Sequence, residues 1–86
     1  MNLQGALEKY NEALQINERL QNHLGRANCF NNIGIINYHL MRFPDSLKNF
    51  EDALQTLNLI GMGNSPRAKL LEENIAQVKN YLTMVG

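Results

Sequence analysis

The property that most limits how this chain can fold is that it matches itself at a fixed offset. Ala6 and Ser46, Leu7 and Leu47, Tyr10 and Phe50, Ala13 and Ala53, Leu14 and Leu54, and Gln15 and Gln55 all pair at a constant separation of 40 residues. Self-similarity at a period of about 20–50 residues marks stacked supersecondary units, each unable to bury its apolar face alone. The repeated segment is helical by its spacing. Leu3, Leu7, Tyr10 and Leu14 follow one another by four, three and four positions, and forty residues on Leu47, Phe50, Leu54 and Leu57 form one stripe in the same way.

Turn-forming clusters at "QNHLGR", "MRFPDS" and "GMGNSPR" separate stretches of helical length. The pattern predicts four helices near residues 3–22, 26–41, 45–60 and 66–84. Pro44 is acceptable at a first helical turn, where its missing N–H would have no partner. Ser65 followed by Pro66 reads as a capped start for the last helix. On this reading the first helix is the second half of a unit, residues 26–60 form one complete unit, and the final helix closes the stack. The chain starts in mid-unit. The fold class is all-α, a four-helix fragment of an antiparallel helix-hairpin solenoid.

With 86 residues there is room for one small core, which excludes an enzyme with a separate substrate domain. Eight basic and eight acidic side chains cancel, so long-range attraction to nucleic acid or anionic lipid is not favoured. Apolar runs are only a few residues long, far short of the roughly 20 that span a bilayer. The single cysteine, Cys29, cannot close an internal disulfide, and the N-terminus lacks a secretion-signal pattern, so the default compartment is a reducing, cytoplasmic one.

The middle unit resembles the tetratricopeptide repeat. That motif sets a bulky residue, two residues, Leu-Gly, two residues and a tyrosine, and later an Ala, an aromatic and an Ala at fixed spacing. The matching positions are Phe30, Ile33, Gly34, Asn37, Ser46, Phe50 and Ala53, with Ala6, Tyr10 and Ala13 in the half-unit ahead. Asn37 stands where tyrosine is usual and Ser46 where alanine is usual. The offset of 40 exceeds the common period of about 34 residues, and is similar to the extended repeats of kinesin light chains and spindle-orientation adaptors. Gly34, in mid-helix at a cost of roughly 1 kcal/mol relative to alanine, is expected to lie where a neighbour near Ser46 and Phe50 approaches too closely for a side chain. Phe30, Ile33, Gly34, Asn37 and Met41 are expected on the packing face, extended by Cys29, Ile36 and Leu40.

The resemblance implies a non-catalytic protein-binding or scaffold module. It implies that Asn28, Asn31, Asn32, Ile35, Tyr38 and His39 line a concave groove, the asparagines hydrogen-bonding a peptide or partner helix as both donors and acceptors. The other reading of the same residues is a solvated helix face. In the last helix Leu71, Ile75, Val78 and Leu82 form one apolar stripe while Glu72, Glu73, Lys79 and Asn80 stay polar, the pattern of a terminal cap. At the other end Leu3, Leu7, Tyr10 and Leu14 offer a possible docking edge, covered by a longer array, by another chain or by a second copy.

No chemistry competes with that reading. Cys29 and His39 share a helix but stand roughly 15 Å apart along it, beyond hydrogen-bond reach. His23 is expected in a loop, and neither histidine has metal-ligand company. "GMGNSP" lacks the lysine and the preceding strand of a phosphate loop. The expectation is therefore an interaction module with no catalytic residue, cofactor or metal, and with neither nucleic acid nor membrane as partner.

Overall fold

The computed structural model describes residues 2–85, which form four helices: α1 (Leu3–Arg19), α2 (His23–His39), α3 (Phe43–Leu59) and α4 (Pro66–Val85). Sequential helices pack as antiparallel neighbours, α1 on α2, α2 on α3 and α3 on α4. The order is that of a solenoid of stacked helix pairs, with α4 also reaching back to α2.

The first three helices are each 17 residues long and start 20 residues apart. The turns between them are one turn used repeatedly. Gln21, Met41 and Gly61 all take left-handed backbone, with φ of 54°, 60° and 77°. Immediately after each, an amide reaches back across the turn: Asn22 to the Asn17 carbonyl, Arg42 to Asn37 and Met62 to Leu57, each at 2.8 Å. This six-to-one closure, with the left-handed residue inside it, satisfies carbonyls that a helix end otherwise leaves free.

Those closures correct the expected boundaries. The helices predicted to end at 22 and 41 stop earlier, because the left-handed residues at 21 and 41 turn the chain. The second helix begins at His23 rather than 26, so His23 lies in a helix and Gly25 in its first turn. Asn22 makes this possible: its Oδ1 accepts the Gly25 amide at 3.0 Å, as Asn2 Oδ1 accepts the Gly5 amide at 2.9 Å twenty residues earlier. Two of the chain's many asparagines are thus helix caps. The third helix starts at Phe43, with Pro44 in its first turn as expected. Ser65 caps α4, its Oγ accepting the Ala68 amide at 3.2 Å.

The core lies between α2, α3 and α4, where Ala27, Phe50, Ala53, Leu57, Ala68, Leu71, Ile75 and Val78 are buried together. Gly34 lies where α2 and α3 approach most tightly on the Phe50 ring. A Cβ on Gly34 would fall 2.8 Å from Phe50 Cε1 and 2.9 Å from Cδ1, so the ring occupies the space a side chain would need. Without a side chain there, the Gly34 carbonyl is open to Ser46, whose buried hydroxyl donates to it at 2.8 Å. Asn37 is likewise buried and donates from Nδ2 to Asn49 Oδ1 at 2.7 Å. Both departures from the repeat pattern are therefore members of matched pairs across α2 and α3, which is what buried polar groups require. Met41, expected on the packing face, is instead 74% exposed, because it is the left-handed residue of the turn.

Candidate functional site

Along α2, residues advance by about 100° each. Gly34 and Asn37 face α3, while Cys29 faces α1, with its Sγ 3.4 Å from Asn17 Nδ2. A third side remains, carrying Asn28, Asn31, Ile35 and Tyr38, and α4 approaches it.

Contacts with α4 fix both ends of this side. At one end Arg67 Nη1 donates to Asn28 Oδ1 at 2.6 Å. At the other, Tyr38, Phe43 and Tyr81 form an aromatic cluster: Tyr38 meets Tyr81 edge-on at 5.7 Å and Phe43 at 5.6 Å, while Phe43 and Tyr81 stack at 5.1 Å. Edge-to-face and offset arrangements of this kind are the favourable ones for aromatic pairs. The neighbouring Tyr81 side chain, ahead of desolvation, holds the Tyr38 phenol above its ordinary pKa of 10.0.

Between these ends lies a hollow of about 80 Å³ lined by Ile35, Tyr38, Phe50, Asn74, Gln77 and Val78. It has an apolar floor, supplied by α3 and α4, and amides on the α4 wall. Small-molecule and cofactor sites run to about 300–1,000 Å³, so this one accepts no more than part of a side chain. Ile35 is 38% exposed at its rim, an apolar group left facing solvent between polar neighbours.

The structure does not gather all six sequence candidates at this hollow. Ile35 and Tyr38 line it, Asn28 is held at one end by Arg67, and Asn31 is half-buried with its Oδ1 shielded from solvent and unpartnered. Asn32 is half-buried and falls, by its helical angle, on the flank turned away from α3 and α4. His39, the last residue of α2, is exposed and meets Tyr38 edge-on at 5.9 Å.

Sequence reasoning missed the opposite wall: Arg67, Asn74, Gln77 and Tyr81. A signal existed, since these four follow one another by seven, three and four positions, one face of a helix. It was hidden because α4 reads first as a cap, and its buried stripe of Ala68, Leu71, Ile75 and Val78 does behave as one, with Glu72, Glu73, Lys79 and Asn80 exposed. α4 thus has one side buried on the core and another that faces α2.

At the other end of the molecule α1 carries no fully buried residue. Leu3, Leu7, Tyr10 and Leu14 are each half-buried, and the most exposed apolar side chains of that region are Ile16 and Leu20, at 52% and 70%. Among the described residues no helix is long and apolar enough to cross a membrane.

A family model described as tetratricopeptide repeat matches residues 1–59. The match ends with the last residue of α3 and leaves α4 outside it. No curated protein and no solved structure matches the chain.

Proposed function

Because the chain belongs to the tetratricopeptide-repeat family, whose members are protein–protein interaction modules, we propose that it is a non-catalytic binder of an extended peptide in the groove between α2 and α4. The observation that carries this reading is the hollow itself: Phe50 and Val78 give it an apolar floor, Ile35 stands at its rim, and Asn74 and Gln77 line the α4 wall. An extended peptide has this chemistry, with alternating backbone donors and acceptors and one side chain to insert.

Magnitudes limit what the groove achieves alone. Asn28 is engaged by Arg67, which leaves Asn31, Asn74 and Gln77 at about 1 kcal/mol per net hydrogen bond. Burying one aliphatic side chain adds about 1.5–3 kcal/mol. The total falls short of the roughly 8 kcal/mol of micromolar affinity, so binding through this hollow alone is weak and adjoining repeats strengthen it.

The test is selection of a displayed random-peptide library on the purified chain, followed by Asn31→Ala combined with Gln77→Ala. Recovered peptides should lose affinity about tenfold or more at an unchanged melting temperature. Full affinity of the double variant would end the groove reading.

A second reading is favoured by a separate observation, the exposure of Ile16 and Leu20. On it the chain is a structural segment of a larger assembly, docked through the side of α1 that exposes Ile16; the expected edge residues Leu3, Leu7, Tyr10 and Leu14 are half-buried and lie, by their helical angle, on the side of Asn17, which meets Cys29 of α2. Ile16→Glu should then abolish assembly at an unchanged melting temperature while the groove variant assembles normally, and assembly that survives Ile16→Glu would end this reading.

A further inference from the structure

On the side of α2 turned away from the groove, one arginine stands where the fold gives it no acidic partner. Arg26 and Ile35 are nine positions apart, which is half a revolution about the helix axis. Arg26 lies in the first turn of α2, where the helix dipole disfavours a cation. Its guanidinium is held 5.6 Å over the Phe30 ring, and its Nε is shielded from solvent without a hydrogen-bond partner. No carboxylate compensates: among the described residues the one ion pair is Lys48 with Asp52, at 3.7 Å. A half-buried cation without an acid is the exception, since charges removed from water are normally paired.

Arg26 lines a hollow of about 420 Å³ together with Gln55, Thr56, Asn58 and Leu59 of α3. No acid lines it, and the Thr56 hydroxyl already donates to the Asp52 carbonyl at 2.8 Å. The donors that remain for a ligand are Arg26 and the amides of Gln55 and Asn58, both exposed residues. Leu59, 68% exposed, supplies an apolar edge. The volume is within the roughly 300–1,000 Å³ of small-molecule sites, which the hollow of the groove is not. Charge narrows the choice further. Gln55, Thr56, Asn58 and Leu59 belong to the last turns of α3, whose free carbonyls carry partial negative charge, so Arg26 offsets one negative charge and not two.

We infer that this hollow binds a small monocarboxylic acid with a short aliphatic body. The carboxylate meets the guanidinium, whose planar fork matches it, and accepts from the Gln55 and Asn58 amides, while the body lies on Leu59. Phosphate fits less well, because its second negative charge would face the carbonyl end of α3 unpaired. The chain does not fill the place with an acid of its own. Glu18 lines a separate hollow with Asn17, Gln21, His23 and Arg26, but it is exposed and forms no ion pair with the arginine.

The experiment is an NMR titration of the whole isotope-labelled chain at constant ionic strength, following the Gln55 and Asn58 side-chain amides. Three probes separate the requirements: sodium isovalerate has both charge and body, isoamyl alcohol the body alone, and inorganic phosphate the charge alone. Saturable shifts are expected with isovalerate, at least tenfold weaker binding with the other two, and loss of isovalerate binding in Arg26→Gln at an unchanged circular-dichroism melt. Should Arg26→Gln alter the melt, Gln55→Glu at its exposed position is the second variant: it sets the chain's own carboxylate beside Arg26 and should weaken isovalerate binding at least tenfold. Isovalerate binding that survives both variants would overturn the site. Equal binding of the alcohol would leave only an apolar edge, equal binding of phosphate an unselective anion site, and no saturable shift no site at all, each of which overturns the inference. The groove variant, Asn31→Ala with Gln77→Ala, should bind isovalerate unchanged, which keeps this test separate from that of the groove.

Discussion

α1 and α3 are one helix written twice, 17 residues each and 40 residues apart, yet of the two only α3 contains buried residues. Their apolar spacing is the same, their turns are the same, and their burial is not. What distinguishes them is neighbours: α3 lies between α2 and α4, and α1 has α2 alone. Burial belongs to the stack rather than to the helix, as expected where stability is a sum of units and nearest-neighbour interfaces.

The largest effect should come from removing the two equivalent rings. Phe50→Ala is expected to cost about 3–5 kcal/mol, the usual range for a buried phenylalanine, while Tyr10→Ala costs less than half of that because its ring is half-buried. Urea denaturation of both variants decides it, and equal losses would mean that α1 is already packed as tightly as α3.

Gly34→Ala sharpens the same comparison from the other side of the interface. Alanine gains roughly 1 kcal/mol of helix propensity, but its Cβ would meet the buried Phe50 ring at 2.8 Å, and overpacking costs about 1–3 kcal/mol. A net destabilisation of about 1 kcal/mol is expected from the difference of those two effects. In the Phe50→Ala background the same change should become stabilising, which makes the double-mutant cycle the informative measurement.

Smaller effects should arise where the turns differ. Gln21 and Met41 hold left-handed backbone that Gly61 adopts freely. Gln21→Gly and Met41→Gly should each raise stability by about 0.5–1 kcal/mol, since a side chain is disfavoured there. Gly61→Ala should lower it by a similar amount, all three being read from chemical denaturation midpoints at constant slope.

The smallest expected effect is alkaline. The pKa of Tyr38 is raised above 10.0 in the fold by Tyr81, so the folded state holds that proton more tightly than the unfolded chain does. Its contribution is complete below the unfolded pKa of 10.0 and lost as pH rises through the folded pKa. Tyr38→Phe should flatten the melting-temperature decline on that limb, and an unchanged decline would remove Tyr38 from it.

Much of this was legible in residue order. Gly34 could be read as a close approach because a mid-helix glycine is costly without one, and the ring it meets was among the two neighbours named. That Ile35 and Tyr38, which line the hollow, share one side of α2 was legible through helical spacing. The turns were not. A glycine at 25 drew the boundary inward, while the residues that make the turn, Gln21 and Met41, carry no turn signature. The α4 wall was not legible either, because a polar stripe facing a groove and one facing water have the same composition.

Sequence by itself determined that this protein is a helical repeat, since an apolar period and a 40-residue offset are read from residue order without any knowledge of neighbours. Tertiary structure alone decided that Asn37 pairs with Asn49, that Arg67 holds Asn28 and that Ile16 stands uncovered. Those outcomes depend on which helices meet and how closely their backbones approach, and spacing along one helix carries no record of that distance.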